Sequence, residues 1–202
     1  MDAGAVSDRY VPAATPGQPT GVVKVVVAGP FGSGKTTFVT TVCDNAIGVE
    51  RNVSDATSRL KEQTTVAMDH GTVDLPTPAG EQRVTLFGTP GQERFNFMWP
   101  MLAQGMAGYV LLVDASRLQA QAQLKSIVRR FASFAPDVPF LLAANRWDPR
   151  QAGRGQIAQF VGVDASRVVA CDPRDAGQSR ALLVDLLGLV DGSASARRET
   201  AS

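Results

Sequence analysis

The chain has 202 residues, 44% of them apolar, and a formal net charge of +1. That is enough apolar material for the core of one domain, and the charge balance excludes a strongly basic surface for nucleic acid or an anionic membrane. No run approaches the roughly 18 apolar residues of a membrane helix. Cys43 and Cys171 form no C-x-x-C pair and are read as reduced thiols of a cytoplasmic protein. Asp2 after the initiator Met excludes N-myristoylation, and Arg198-Glu199-Thr200-Ala201-Ser202 carries no prenylation motif. Membrane contact is therefore expected only through a partner.

Residues 1–20 are rich in Pro, Gly, Ala and Thr and read as a disordered N-terminal extension. Residues 22–28 are almost all Val and read as a buried strand. Gly29-Pro30-Phe31-Gly32-Ser33-Gly34-Lys35-Thr36 follows and fits G-x-x-x-x-G-K-[ST], the P-loop pattern, in full. Glycines let consecutive backbone N–H groups point at phosphate oxygens, and the next helix, expected over 36–47 with Gly48 as its stop, adds the positive end of its dipole. Lys35 is suited to reach the outer phosphates and the Thr36 hydroxyl to ligate Mg²⁺.

Residues 49–64 lack clear periodicity. An extended run begins near Thr64 and Thr65 and is closed by the turn at 76–80. The next strand, 82–87, makes an antiparallel hairpin with it. Gly88-Thr89-Pro90-Gly91-Gln92-Glu93-Arg94-Phe95 leads into a Met- and aromatic-rich piece that includes Phe97, Met98 and Trp99. A buried strand at 109–114, a helix at 117–134 with Leu118, Leu124, Ile127, Val128 and Phe131 as apolar positions, and a strand at 138–144 come next. A short helix at 156–161, a strand at 167–170 and a helix at 178–189 complete the domain, expected over 21–190. Residues 191–202 read as a disordered tail.

Strands alternating with helices predict an α/β fold of the P-loop type. The expected sheet is mostly parallel and six-stranded, with one antiparallel edge strand and helices on both faces. Ligands of such sheets sit at the C-terminal ends of the strands. The P-loop, the Gly88 segment and Asn145-Arg146-Trp147-Asp148 all fall at strand ends. The last fits N-[KR]-x-D, in which a carboxylate at Asp148 accepts from the N1–H and exocyclic amine of guanine. Adenine lacks that donor pair, so the site leaves a polar group unpaired with ATP. Asn145 is expected to tie this loop to the P-loop, and the stem of Arg146 to cover the base. His70 is the only histidine, which removes His-based catalysis and multi-His metal sites.

Over 22–190 the chain resembles a Ras-superfamily GTPase. Its P-loop, Phe87-Gly88-Thr89-Pro90-Gly91-Gln92-Glu93-Arg94-Phe95, Asn145-Arg146-Trp147-Asp148 and Cys171-Asp172-Pro173-Arg174 are most similar to the actinobacterial conservon-type GTPases, themselves related to the bacterial polarity and gliding GTPase. The resemblance implies two nucleotide-sensing loops. Thr65, with Thr64 as the alternative, matches the threonine that ligates Mg²⁺ beside the γ-phosphate. Gly91 matches the glycine whose N–H contacts that phosphate, and Gln92 the glutamine that orients the attacking water. Cys171 and Asp172 resemble the loop whose backbone contacts the guanine O6, with the Asp172 N–H free to donate. The resemblance also implies partners: a roadblock-type regulatory protein and a sensor-kinase-like or other effector.

Three departures stand out. The carboxylate of the family's D-x-x-G motif is replaced by Gly88, and Asp69, on the same strand face as Thr65, is the expected substitute, as in the polarity GTPase. Phe31 stands where a small glycine is usual. No Arg lies just before Thr65, where Glu62 is three residues upstream, leaving Arg51 or Arg59 to swing in from a mobile loop. The expectation is a slow GTPase switch with Mg²⁺, turning over at about 10⁻⁴ to 10⁻² per second. Its catalytic set is Gln92, Lys35 and Gly91. Its nucleotide-binding set is Gly29, Phe31, Gly32, Ser33, Gly34, Lys35, Thr36, Thr37, Asn145, Arg146, Asp148, Cys171 and Asp172, and its metal ligands are Thr36, Thr65 and Asp69. The alternative is a GTP-binding interaction module with negligible hydrolysis.

Overall fold

In the computed structural model, residues 21–54, 63–78, 80–91 and 93–200 are described. Of 48–54, 63–67, Glu93 and 196–200 only the backbone is considered. The extension at 1–20, Arg59, Glu62, Gln92 and the last two residues, on which several expectations fell, lie outside the described residues.

Among the described residues seven strands form one sheet: β1 (Val22–Ala28), β2 (Ile47–Ser54), β3 (Gln63–Thr77), β4 (Gly80–Gly88), β5 (Gly108–Asp114), β6 (Phe140–Asn145) and β7 (Val168–Ala170). Their spatial order is β2-β3-β4-β1-β5-β6-β7. β4, β1, β5, β6 and β7 pair in parallel, and β3 runs against both of its neighbours. The α/β class and the mostly parallel sheet are as expected, with β3 as the one reversed strand. A seventh strand is added, because β2 lies outside β3 and takes the edge from it. β2 eluded the sequence reading because a ladder held by backbone groups at a sheet edge needs no apolar alternation.

The strand sequences explain the layers. Val25 and Val27 of β1 face one way and Val26 and Ala28 the other, and all four are buried. Val110 and Leu112 join the first face, and Tyr109, Leu111 and Val113 the second. Helices α1 (Lys35–Val42) and α5 (Ala176–Thr200) cover the first face through Phe38, Val39, Leu182, Leu183 and Leu186. Helices α3 (Leu118–Phe134) and α4 (Arg154–Val161) cover the second through Leu124, Ile127, Phe131, Ile157 and Val161. Near-continuous apolar strands are what a sheet buried on both faces requires. A smaller cluster of Met68, Phe95, Met98 and Leu102 packs a 3₁₀ turn at Glu93–Met98 and helix α2 (Trp99–Ala103) beside β3.

Two boundaries and one buried position differ from expectation. α1 ends at Val42, not near Gly48, because Cys43 is already extended and the Asn45 Oδ1 accepts from both Thr72 N and Oγ1, 2.9 Å each, turning the chain into β2. Gly48 is therefore a strand residue opposite Asp69. Leu118, expected on the apolar stripe of α3, is exposed at its first turn. The tail expected to be disordered is helical to Thr200, with Ser193 and Ser195 donating to the Leu189 and Asp191 carbonyls one turn back.

Candidate functional site

β1 delivers the chain into the loop at 29–34 at the C-terminal edge of the sheet. Gly29 has φ 153° and Gly34 φ 107°. A Cβ would stand 2.1 Å from the Leu112 carbonyl oxygen at Gly29 and 2.8 Å from Pro173 Cγ at Gly34, so neither position admits a side chain. α1 starts at Lys35 with no side-chain cap. Its first N–H groups are left for an anion.

The Lys35 side chain is buried, and its Nζ donates to the carbonyls of Gly29 at 2.9 Å and Pro30 at 2.8 Å. Burial lowers its pKa to about 8, against the pull of the nearby Asp69 charge. The Thr36 Oγ1 donates to Asp69 Oδ2 at 2.7 Å. Asp69 therefore comes to the P-loop threonine across β3. The position of Gly88 fits this: a Cβ there would lie 3.0 Å from both Asp69 Cβ and Oδ2. One carboxylate fills the space, and it comes from residue 69.

The segment after β4 lies directly on the P-loop. A Cβ at Gly91 would fall 2.8 Å from Lys35 Nζ and 3.0 Å from Phe31 Cα. Thr89 is tied by its N–H to the Val27 carbonyl at 2.8 Å, and its buried Oγ1 has no partner among the described groups. Phe31 is 75% exposed and borders the cleft.

On the other side, Asn145 at the end of β6 donates from Nδ2 to the Ser33 carbonyl at 3.2 Å, across 112 positions of sequence. That tie was expected. Arg146, the one non-glycine residue with positive φ among the described residues, at 51°, donates from Nη1 to Asp114 Oδ2 at 2.7 Å. Burial pushes the Asp114 carboxyl up, but hydrogen bonds from Ser116 and Arg146 outweigh it and hold the carboxyl below its ordinary range. Asp148 accepts from the Arg150 N–H at 2.9 Å and Nε at 3.1 Å, bonds that hold its pKa low. Its carboxylate is thus turned to Arg150, and Asp148 is not among the residues that line the cleft.

The loop after β7 corrects one expectation. The Asp172 N–H is not free: it donates to Gln178 Oε1 at 3.0 Å, because the first turn of α5 folds back over the loop. The Asp172 carboxylate pairs with Arg174 and is held at about 2 by that hydrogen bond, while the Cys171 thiol is buried near Ser179 Oγ at 3.9 Å. Pro173 and Arg174 line the cleft instead.

These parts enclose a cleft of about 540 Å³, bordered by Phe31, Gly32, Gly34, Lys35, Thr36, Thr37, Asp69, Gly91, Asn145 and Arg146. That size suits a mononucleotide. The structure does not bring Thr65 there. It sits in β3 opposite Asn52, four residues from Asp69, or about 13 Å along a strand. Arg51 is likewise held in β2, opposite Val66. Sequence reasoning passed over Arg94, which lines the cleft with its guanidinium 4.7 Å from the centre of the Phe95 ring. Its signal was its place two residues after Gln92. Among the described residues no three His, Cys, Asp or Glu side chains cluster as a metal site. One carboxylate and one hydroxyl nevertheless fit Mg²⁺, which takes few protein ligands and completes its shell with phosphate and water.

A parallel sheet with a glycine loop, a buried lysine and an asparagine-tied second loop on its C-terminal edge defines a P-loop nucleotide-binding protein. The family described as "Conserved hypothetical ATP binding protein" matches residues 44–191, and the chain belongs to it. It is 33% identical over 138 residues to an uncharacterized protein of Methanocaldococcus jannaschii, MJ1339, covering 68% of this chain and 79% of that one. It is 22% identical over 154 residues to the Ras-related protein Rab-5B of Plasmodium falciparum, covering 75% of this chain and 70% of the other.

Proposed function

We propose that the protein is a guanine-nucleotide switch that binds GTP with Mg²⁺, hydrolyses it slowly to GDP and selects partners by nucleotide state. The observation that carries the reading is the Asn145–Ser33 hydrogen bond, which couples a loop with the guanine-reading residue order to the phosphate-binding loop in one cleft. The Asp148 carboxylate reads the base once it leaves Arg150. The P-loop amides and Lys35 take the phosphates. Lys35 exchanges two carbonyls for phosphate oxygens, which restores the charge that burial disfavours.

Thr36 and Asp69 are the ligands on hand for Mg²⁺ in this conformation. Bound there, the ion supplies charge neutralisation at the phosphate oxygens. Gly91, pressed on the P-loop, offers its N–H towards the γ-phosphate, and Gln92, next in sequence, orients the water. Thr65 joins only when its stretch of β3 leaves the ladder with β2. The likeness to conservon-type GTPases supports a roadblock-type regulator and a kinase-like effector as partners in the cytoplasm. Among the described residues no helix is long and apolar enough to cross a membrane. A second reading, a GTP-binding module with negligible turnover, is favoured by Phe31, a large exposed side chain that borders the cleft and whose backbone meets Gly91.

Competition for a fluorescent GDP analogue tests the base. GDP and GTP are expected to displace it, ATP not at a hundredfold excess, and Asp148→Ala should abolish the preference. Equal displacement by ATP would overturn the guanine reading in favour of an ATP-binding protein. Single-turnover hydrolysis by wild type and Gln92→Leu separates the switch from the module, since only a switch loses turnover with Gln92.

A further inference from the structure

We infer that Arg94 is an arginine supplied in cis to the transferring phosphate, a catalytic residue of the proposed hydrolysis; the inference rests on the GTPase reading above. Its side chain borders the same cleft as Lys35, Thr36, Asp69 and Gly91. It leaves the first turn of the 3₁₀ segment Glu93–Met98, three residues after Gly91, whose backbone touches the P-loop next to Lys35 Nζ. Three residues of chain separate the two by at most about 11 Å, and both border the same cleft.

Three further facts point the same way. Of the arginines that line the cleft, Arg146 and Arg174 are paired to Asp114 and Asp172, whereas the Arg94 guanidinium forms no ion pair among the described residues. It lies over the ring of Phe95, which is buried with Met68, Met98 and Leu102. A planar cation stacked on a fixed aromatic face is held in place while its N–H groups stay free to donate. Finally, of the two arginines that the sequence offered for this task, Arg51 is held in the β2 ladder, and Arg59 lies outside the described residues.

The chemistry is the ordinary hydrolysis. Water adds to the γ-phosphorus, and the bond from that phosphorus to the β–γ bridging oxygen breaks with its electron pair on the oxygen. GDP and inorganic phosphate leave, and the proton shed by the water stays on the phosphate. The Arg94 guanidinium donates hydrogen bonds to the bridging and γ-oxygens as their negative charge grows, and gives up no proton itself. Such an arginine in cis places turnover near 10⁻² per second, against roughly 10⁻⁴ without one.

The test is single-turnover GTP hydrolysis by the full chain, with GDP and GTP affinities measured alongside. Arg94→Ala should cut the rate at least thirtyfold and leave GDP affinity within twofold. Arg94→Lys should stay slow, since a point charge lacks the planar fork. Guanidinium chloride at low millimolar concentration should restore part of the Arg94→Ala rate and leave wild type unchanged. Trapping by GDP with aluminium fluoride should be seen in wild type and lost in Arg94→Ala. Hydrolysis by Arg94→Ala at the wild-type rate, with GTP binding intact, would overturn the inference and leave the switch reading standing. Failure of the wild type to bind GTP, or to turn it over at all, would overturn both, and is visible before any variant is made.

Discussion

Gly88 and Asp69 are one decision expressed at two positions. With the Asp69 carboxylate 3.0 Å from where a Cβ at 88 would stand and 2.7 Å from Thr36 Oγ1, there is room for one acid beside the P-loop threonine. Gly88→Ala should therefore destabilise the protein by about 1–3 kcal/mol through overpacking, read as a lowered Tm. Asp69→Ala should leave the fold intact and weaken the Mg²⁺-dependent part of GTP affinity at least tenfold. Pairing Gly88→Asp with Asp69→Gly should recover part of that loss, by returning a carboxylate to the same space from the neighbouring strand. Normal Mg²⁺-dependent affinity in Asp69→Ala would remove Asp69 from the metal site. Asp69 could be singled out in the sequence as the candidate carboxylate because it shares a strand face with Thr65, and the structure places it beside Thr36. The steric exclusion at Gly88 could not be read there, since it depends on how closely β3 and β4 pack.

Between elements, the Asn145 loop is held by two polar ties of different kinds. Asn145 reaches the Ser33 carbonyl, and Arg146, at positive φ, is anchored to the buried carboxylate of Asp114 at the end of β5. Arg146 was expected to cover the base with its stem, and its guanidinium is occupied with holding the loop. Asp114→Ala should weaken GDP binding about tenfold, the worth of one charge-assisted hydrogen bond. Asp114→Asn, which can still accept from Ser116, should weaken it less, and isothermal titration distinguishes the two. Equal affinity in both variants and wild type would mean that Asp114 serves the fold alone. Here the limits of sequence are plain. The P-loop glycines and the strand-end position of Asn145 could be read from residue order, because local backbone chemistry dictates them. The partner of Arg146, the capture of the Asp172 N–H by Gln178 and the early end of α1 come from side chains meeting across distant segments, and no local pattern encodes that. The same holds for β2, an edge strand held by backbone pairing, and for the last turns of α5, whose serines bond back to their own helix.

At the scale of the molecule, the sheet divides into a fixed and a lighter part. β1, β5 and β6 are buried on both faces between α1 and α5 on one side and α3 and α4 on the other. They carry the P-loop and the Asn145 loop, so those cannot move far without opening the core. β2 and the start of β3 form a two-stranded margin beyond β4, and a ribbon of that kind is only marginally stable alone. Thr65 lies in this margin, about 13 Å by strand rise from Asp69. On the proposed switch reading, a γ-phosphate with Mg²⁺ rewards any conformation that brings Thr65 to the cleft, at the cost of its ladder bonds with β2. A ligand shifts such an equilibrium only by its differential affinity for the two states. GDP, without the γ-phosphate, should leave the ladder as described, and a non-hydrolysable GTP analogue should dissolve it. Hydrogen exchange at the amides of 47–54 and 63–67 reads this directly. Faster exchange across β2 with the analogue and Mg²⁺ than with GDP, and slower exchange at 88–91 where Gly91 meets the phosphate, is the expected pattern. Identical exchange in the two states would mean that nucleotide does not drive this margin, and would leave the protein a nucleotide binder rather than a switch.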